Sequence, residues 1–555
     1  MDCRTITLMD PVGSLLAQIA QELPENRAQL RQLKTRLAAQ THAGFIRNDA
    51  LLARYRQEVS AGLRPSSTRL ERILRLNAIR SHSGLATVTA ITEPYPCPGR
   101  CVYCPTEARA PKSYLTNEPA VRRALRHDYD PYSQVWHRLK ALDETGHPTD
   151  KIELILKGGT WSFYPEAYQQ WFVRRCVEAA NDFRQPHTAE GTPHTDTSLE
   201  EVQRMNETAR NRIIGLTVET RPDYVTPEEI RRLRQLGVTR VELGVQSLED
   251  RILALIVRDH TTHEVQQATR SLREAGFKIA YHLMPNLPSA SPEDDLATFR
   301  ELFDNPAYRP DALKLYPCVV VESAELYAWW RQGRYQPYDD ETLVELLIQL
   351  KMLVPPYVRI ERVIRDIPST SIQAGCTVTN LREDVHRRMR SRGLRCRCVR
   401  CREIRGEAPG SCVIVRREYE ASGGREIFLS MEDLATDRLA ALLRLRIPSS
   451  VLGQHSNDWP ALEGAALIRE LHTYGQHVSF HDRREDAAQH RGFGRQLMAE
   501  AERIAGEEFG VLRLAVIAGV GVRAYYRKLG YELEDTYMMK SIGPCSSNRS
   551  LDEPS

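Results

Sequence analysis

The 555-residue chain contains no run of about 18 apolar residues, so no membrane-spanning helix is expected. Its first residues, MDCRTITLMD, lack the charged-then-apolar order of a secretory signal. No segment repeats, which sets repeat architectures aside. Twelve cysteines in so long a chain do not make a disulfide scaffold. Clustered as they are, they read as metal ligands in a reducing cytoplasm, where the protein is expected to reside. Net charge is also scarce, at +3. What the chain does have is length and an ordinary hydrophobic content of 41%, which predict globular folding in two or three domains.

The small net charge hides an uneven spread. Residues 1–80 hold 13 Lys/Arg against 7 Asp/Glu, and residues 381–405 hold 10 Arg against 3 acids, so the remainder is acidic by 10 charges. Basic segments on a near-neutral protein fit phosphate backbones, although a solvated helix face has the same composition.

Residues 1–79 predict a basic, helical, RNA-binding region, with Leu15, Ile19, Leu23, Leu30, Leu33 and Leu37 at near-helical spacing and Pro24 breaking the pattern. From 80 to 365, short apolar runs (LATVTAI, KIELILKGG, RIIGLTVET, RVELGVQS, KIAYHLMP, ALKLYPCVV) alternate with amphipathic stretches such as PEEIRRLRQLG and THEVQQATRSLREAG. Alternating strand and helix implies parallel strands, and about six of them imply an α/β fold of the partial (β/α)6 barrel type. Residues 184–200 read as a polar surface loop, 366–410 as a cysteine- and arginine-rich linker, 411–545 as a second mixed β/α unit, and 546–555 as a tail.

The most informative run is YPCPGRCVYCP, in which Cys97, Cys101 and Cys104 are spaced C-x3-C-x2-C. Three thiolates this close can hold three irons of a [4Fe-4S] cluster. No fourth cysteine follows nearby, so one iron is left open to bind S-adenosylmethionine through its amino and carboxylate groups. Reduction then releases a 5'-deoxyadenosyl radical. Tyr103 fits the aromatic expected before the last cysteine. A structural zinc knuckle is the competing reading, but zinc wants four ligands and only three are local.

In a barrel, chemistry gathers at the C-terminal ends of the strands. Gly158 and Gly159 end the strand after the cysteine loop, where backbone can approach the methionine amino group closely. Glu219 and Arg221, in TVETRPDY, end another strand and are candidates for the cofactor's ribose and carboxylate, or for a salt bridge closing the barrel. Gln246 in VELGVQS is a candidate for the same cavity. Lys314 and Tyr316 in ALKLYP, and Lys112 and Tyr114 after the cysteine loop, are candidates for meeting a phosphate or a base, or for packing.

A second group, Cys396, Cys398 and Cys401 in GLRCRCVRCRE, predicts zinc, with a second iron–sulfur cluster as the alternative. The fourth ligand is His386 on the preceding basic helix, with Cys376, Cys318 and Cys412 as rivals, and the interleaved arginines suggest a nucleic-acid-facing loop. Further on, Gln489-His490-Arg491-Gly492-Phe493-Gly494 opens a helix and fits Q/R-x-x-G-x-G/A, the acyl-CoA loop of GNAT acetyltransferases. Its glycines expose amides at a helix N-terminus, where pyrophosphate binds. Tyr525 or Tyr526 stands where such a domain keeps the acid that protonates the leaving thiolate, and Glu470 and His472 could position a water or the acetyl group.

Together these segments resemble the catalytic-subunit family of Elongator in its stand-alone prokaryotic form. The resemblance runs through EPAVRRALRHDYDPYSQVWHRL, TVETRPDY, ELGVQS, LKLYP, RDIP, RELHTYG, GFGRQLMAEAERIA and YYRKLGY, and spans residues 80 to 540. It implies a radical-SAM barrel fused to a GNAT domain, holding a [4Fe-4S] cluster, S-adenosylmethionine, acetyl-CoA and Zn2+, and drawing on an electron donor. It also implies an enzyme acting on the tRNA anticodon. The adenosyl radical would activate the acetyl methyl group, which joins C5 of the wobble uridine and leaves carboxymethyluridine after hydrolysis. The uridine would be splayed from its loop. The rival readings are a protein lysine acetyltransferase with a structural cluster, and a tRNA-binding scaffold.

Overall fold

The computed structural model describes residues 10–41, 46–75, 84–184, 197–405, 410–453, 459–475 and 491–543. Among them, no helix is long and apolar enough to cross a membrane. The expected polar loop at 184–200 lies mostly outside these residues, and the expected tail at 546–555 lies wholly outside them.

Four helices, Pro11–Glu22, Arg27–Thr41, Asn48–Ser60 and Thr68–Leu74, bury a core of their own that includes Leu15, Leu16, Ile19, Leu30, Leu33, Leu51 and Tyr55. Asp10 caps the first helix by accepting from Gly13 N–H at 3.0 Å, with proline in the first turn. Leu23 ends that helix in a left-handed conformation and is 38% exposed, so the apolar stripe stops one position short of the sequence reading. The bundle reaches the rest of the chain through Arg56, which donates to the Asp143 backbone carbonyl at 2.7 Å.

The central sheet is parallel and follows chain order: β1 (Ala86–Ile91), β2 (Lys151–Lys157), β3 (Arg212–Thr220), β4 (Arg240–Gln246), β5 (Lys278–Leu283), β6 (Ala312–Leu315) and β8 (Arg359–Arg362). β7 (Val320–Val321) and β9 (Ile372–Ala374) make a separate antiparallel pair. Helices such as Pro131–Glu144, Glu166–Asp182, Thr262–Glu274 and Asp340–Leu353 pack their apolar faces on the sheet. Burial is nearly continuous along β4, β5 and β6, whereas β1 and β2 alternate buried positions with half-buried ones. The sheet has seven strands where sequence periodicity found six. The seventh, RIER, sets one buried apolar residue, Ile360, among three charged ones over only four residues, too short to carry a period-2 signal.

A second, mixed sheet runs β10 (Val413–Ala421), β11 (Gly424–Asp433), β12 (Arg438–Ile447), β13 (Ala465–Thr473), β14 (Arg513–Val516), β16 (Tyr537–Ser541) and β15 (Glu532–Glu534). β13 pairs with β14 only from Ala465 to Ile468, and in parallel, whereas it stays on β12 to Thr473. The two strands therefore part after Ile468. At that point the β12–β13 register slips, so that Arg469 has no partner across the ladder, a bulge that re-aims its side chain.

Arg469 points into the central sheet. It is fully buried and donates to both Asp311 oxygens at 2.6 and 2.8 Å, to Glu426 at 2.7 Å, and to the Phe277 carbonyl at 2.7 Å. Arg444 adds Asp311 at 3.5 Å and the Tyr357 carbonyl at 2.8 Å. Gly519 lets the second unit close in, since a Cβ there would lie 2.1 Å from the Ile214 carbonyl oxygen. Removing one partner of such a buried pair destabilises by about 3–5 kcal/mol. Asp311→Ala, which strands two guanidinium groups, is therefore expected to lower the thermal transition and open the seam to limited proteolysis, with Asp311→Asn milder. An unchanged melting curve for the alanine variant would show the seam to be held by apolar packing alone.

Candidate active site at the seam of two sheets

A cavity of about 500 Å³ runs along the inside of the central sheet, from the cysteine loop at the C-terminal ends of the strands to residues that begin them, Arg240, Lys278 and Arg359. Its wall includes Cys97, Cys101 and Cys104 on one element set, Lys157, Glu219 and Lys314 on the strands, and Glu470, His472 and Tyr474 from β13 and its end. One chamber is thus lined by both sheets, which follows from the seam geometry and from β13 continuing past β14.

The cysteine loop is held by its backbone. Val102 N–H donates to the Ile256 carbonyl at 3.1 Å, and the Val102 carbonyl accepts from Leu326 N–H at 2.8 Å. Cys101 is buried, and its thiol is pulled down to about 5, first by a hydrogen bond with Cys104 and then by Arg258. Cys97 Sγ lies 3.8 Å from the Thr160 hydroxyl. Tyr103 packs buried beside them.

Gly158 has φ +141°, and a Cβ there would fall 1.8 Å from Thr92 Oγ1. The Gly158 carbonyl accepts from Thr92 Oγ1 at 3.2 Å and Tyr164 OH at 2.9 Å. Gly159, at φ +80°, lines the cavity with no such overlap. Arg221 is 3% exposed; Nε and Nη2 grip Asp223 at 2.9 and 2.8 Å, while Nη1 has no hydrogen-bond partner. A Cβ at Gly99 would lie 2.2 Å from that Nη1, so the guanidinium fills the space the glycine leaves within the cysteine loop.

Glu219 lines the cavity but is engaged: Lys157 Nζ approaches at 2.6 Å and His282 Nδ1 at 3.2 Å. Glu242, fully buried and missed by sequence reading, accepts from Arg240 at 2.7 Å and also meets Lys157, His282 and Lys314. Glu219, Glu242 and His282 bring ligand atoms within 4.8 Å, but the Lys157 ammonium already lies against both carboxylates. Burial pulls Lys314 down to about 8 against the opposing attraction of Glu242. Tyr316 stacks edge-on to His282 at 5.3 Å, and burial pushes its phenol up. Gln246 closes β4 at φ +72° and lines the cavity. Lys112 lines it too and bonds Thr106. Arg365 covers the Tyr114 ring at 5.2 Å. The signal for Glu242 was present in RVELGVQ, an acid inside an otherwise apolar strand.

In the second sheet, Glu470 accepts from Arg444 at 2.8 Å. Burial would raise its carboxyl, but Lys278 and Arg444 hold it at about 2. The His472 ring lies 4.2 Å from that of Tyr474. Gln489 lies outside the described residues. Gly492, at φ +75°, caps the helix Phe493–Arg503; Phe493 is buried, and Arg491 reaches the Gly410 carbonyl at 3.4 Å. The Tyr525 hydroxyl would lie 3.1 Å from a Cβ on Gly494, so it borders this turn. Tyr526 is buried between Tyr525 and Tyr531.

Cys396, Cys398 and Cys401 converge with their sulfurs within 4.8 Å, and His386 Nε2 lies 3.8 Å from Cys401 Sγ. Of the rivals, Cys318 lies in a separate core cluster and Cys412 beside Asp433 and Arg491, while Cys376 shares the main core with Cys396 and Cys398. The arginine-dense stretch is partly neutralised. Arg388 pairs with Glu341 at 2.6 Å, Arg392 with Glu345 at 2.7 Å, and Arg402 is buried against Glu432, whereas Arg390 and Arg397 remain exposed.

Residues 95–302 match the family model of the Radical SAM superfamily, and residues 310–391 that of the Radical_SAM C-terminal domain. The chain is 48% identical over 468 residues to the tRNA uridine(34) acetyltransferase of Dehalococcoides mccartyi, covering 83% of this chain and 99% of that one. It is 40% identical to human Elongator complex protein 3, over 84% and 86% of the two chains. The solved structure of the archaeal Methanocaldococcus infernus Elp3 with an N-terminal deletion superposes with a TM-score of 0.70 at 41% identity, covering 83% of this chain and 99% of that chain. The chain belongs to the Elongator complex protein 3 family. Membership in this radical-SAM family implies a [4Fe-4S] cluster and S-adenosylmethionine. The residues fit: three thiols face one cavity, and beside them lie two buried guanidinium groups, Arg258 on Cys101 Sγ and Arg221, whose Nη1 makes no hydrogen bond and lies 3.9 Å from Asp259.

The two glycines that end β2 differ in a way that can be measured. Gly158→Ala combines a φ strain with overlap on Thr92, whereas Gly159→Ala carries the strain alone. The first is expected to lower the melting temperature clearly more than the second, read by calorimetry on the two purified variants. Equal losses would remove the close approach of Thr92 from the account.

Proposed function

We propose that the chain modifies the wobble uridine of tRNA, adding an acetyl-derived carboxymethyl group at C5. The observation that carries this is the single cavity lined both by the cysteine loop and by β13 of the second sheet, because a radical made at one wall must reach an acyl group presented at the other. The names of the relatives supply the substrate class. When bound, the cluster and S-adenosylmethionine supply a 5'-deoxyadenosyl radical, and acetyl-CoA supplies the acetyl group.

This chain's residues then have definable tasks. Cys97, Cys101 and Cys104 hold iron. The Gly158–Gly159 backbone meets the methionine amino group, the free Nη1 of Arg221 its carboxylate, and Glu219 the ribose. Lys314, held near 8, can move a proton close to neutral pH. The turn at Gly492–Gly494 takes the pyrophosphate of acetyl-CoA. Tyr525, whose hydroxyl borders that turn, protonates the leaving thiolate, while Tyr526 packs. Cys396, Cys398, Cys401 and His386 bind one zinc ion. Zn–S bonds of about 2.3 Å demand sulfurs this close together.

Anaerobic protein with acetyl-CoA is expected to hydrolyse it faster when tRNA is added. With S-adenosylmethionine and a reductant as well, it is expected to yield carboxymethyluridine, seen by mass spectrometry of digested nucleosides. Acetylated lysine peptides with unaltered nucleosides would move the chain to the protein acetyltransferases. Tyr525→Phe is expected to lower hydrolysis about 10²-fold and Tyr526→Phe by far less; the reverse order would exchange their roles. Cys398→Ser is expected to lose the zinc found by elemental analysis, and His386→Ala to hold it more weakly against a chelator. Full zinc in both would sink the ligand set.

A further inference from the structure

One buried cation beside the cysteine loop has no task in the reading above. Arg258 is 7% exposed. It donates from Nε and Nη2 to the Gly244 carbonyl at 3.2 and 2.6 Å, and from Nη1 to Cys101 Sγ at 3.4 Å. Among the described residues no carboxylate pairs with it. Burying an unpaired charge is costly, and the sulfur of Cys101 is the group beside Arg258 that can carry a counter-charge.

The fold goes to some length to hold this side chain. Val257 and Asp259, on either side of it, have φ +55° and +59°, and a β-branched residue rarely adopts the left-handed region. Strain of that kind persists where surrounding contacts over-determine it. Here the contacts are Arg258 N–H to the Leu253 carbonyl at 2.9 Å and Val102 N–H to the Ile256 carbonyl at 3.1 Å, which ties the strained segment to the cysteine loop. Gly244 is required as well, since a Cβ there would lie 2.5 Å from Arg258 Nη2.

We infer that Arg258 is a tuning residue, whose guanidinium hydrogen-bonds the Cys101 sulfur as an iron ligand and raises the reduction potential of the cluster. The inference rests on the cysteine loop carrying that cluster. An N–H donor and a positive charge both favour the reduced, more negative state, and hydrogen bonds to the sulfurs are among the factors that set such potentials. Cys101 is singled out: Cys97 has only the Thr160 hydroxyl at 3.8 Å. Arginine suits the task because its fork spans the Gly244 carbonyl and the sulfur at once and stays charged at every working pH.

The test is a redox titration of the reconstituted full-length chain, followed by the electron paramagnetic resonance of the reduced cluster, beside iron and sulfide content. With full iron, Arg258→Gln is expected to lower the ratio of reduced to oxidised cluster at a fixed poise by about tenfold, the effect of one charge-assisted hydrogen bond and, for one electron, 59 mV. Arg258→Lys, which keeps the charge but cannot span both acceptors, is expected to fall between. Full iron with an unchanged potential in Arg258→Gln would overturn the inference. Should that variant lose iron, Arg258→Lys decides: iron kept with a lowered potential supports tuning, and iron lost from both assigns Arg258 to holding the loop and overturns it. Failure of the unaltered chain to take up iron would instead refute the cluster reading beneath.

Discussion

Asp311 sits at the head of β6 with its carboxylate gripped by Arg469 and approached by Arg444, both reaching across from the second sheet. Everything the cavity can do depends on this contact. β13 meets the cavity where the central strands begin because its sheet is docked in one register, and the docking charge, Arg469, is the residue displaced by the β-bulge. The same bulge marks where β13 and β14 part. One local irregularity thus both anchors the second sheet and leaves the end of β13 free to face the barrel. A directional anchor of this kind fixes orientation in a way that apolar packing, which tolerates sliding, does not.

Inside the barrel, charge is arranged rather than excluded. Glu242 accepts from Arg240 and meets Lys157, Lys314 and His282, and Glu219 shares Lys157 and His282. Carboxylates and ammonium groups in this number can stay buried only because each is paired. The consequence for Lys314 is particular: burial lowers it and Glu242 resists, leaving it near 8, where its proton is exchangeable at modest cost.

How much of this could be read from sequence follows from the kind of signal each feature carries. Six central strands were legible because each sets buried apolar residues in a short run between amphipathic helices, and the cysteine spacings were legible because ligands to one site cluster in sequence. The seventh strand, Arg359–Arg362, was not, since four residues cannot show a period. Arg258 and His282, and the role of Glu242 beyond its being an acid in an apolar strand, were missed for a different reason. Each acts through partners far away in the chain, Arg258 on Cys101 and Glu242 on Lys157 and Lys314, and such pairs leave no local pattern. The arginine-dense stretch gave the opposite error. Composition counts Arg388 and Arg392 as free charge, whereas Glu341 and Glu345 on the helix Asp340–Leu353 pair with them.

The two walls of the cavity pair their charges differently. At the β13 wall Glu470 is saturated by Arg444 and Lys278, and along the strands every carboxylate named here meets a cation. At the cysteine wall Arg258 has a sulfur in place of a carboxylate, and Arg221, paired with Asp223, keeps Nη1 without a hydrogen bond, 3.9 Å from Asp259. A guanidinium with an open N–H in a low-dielectric site attracts an anion. At the cysteine wall a negatively charged cofactor would meet the guanidinium groups of Arg258 and Arg221.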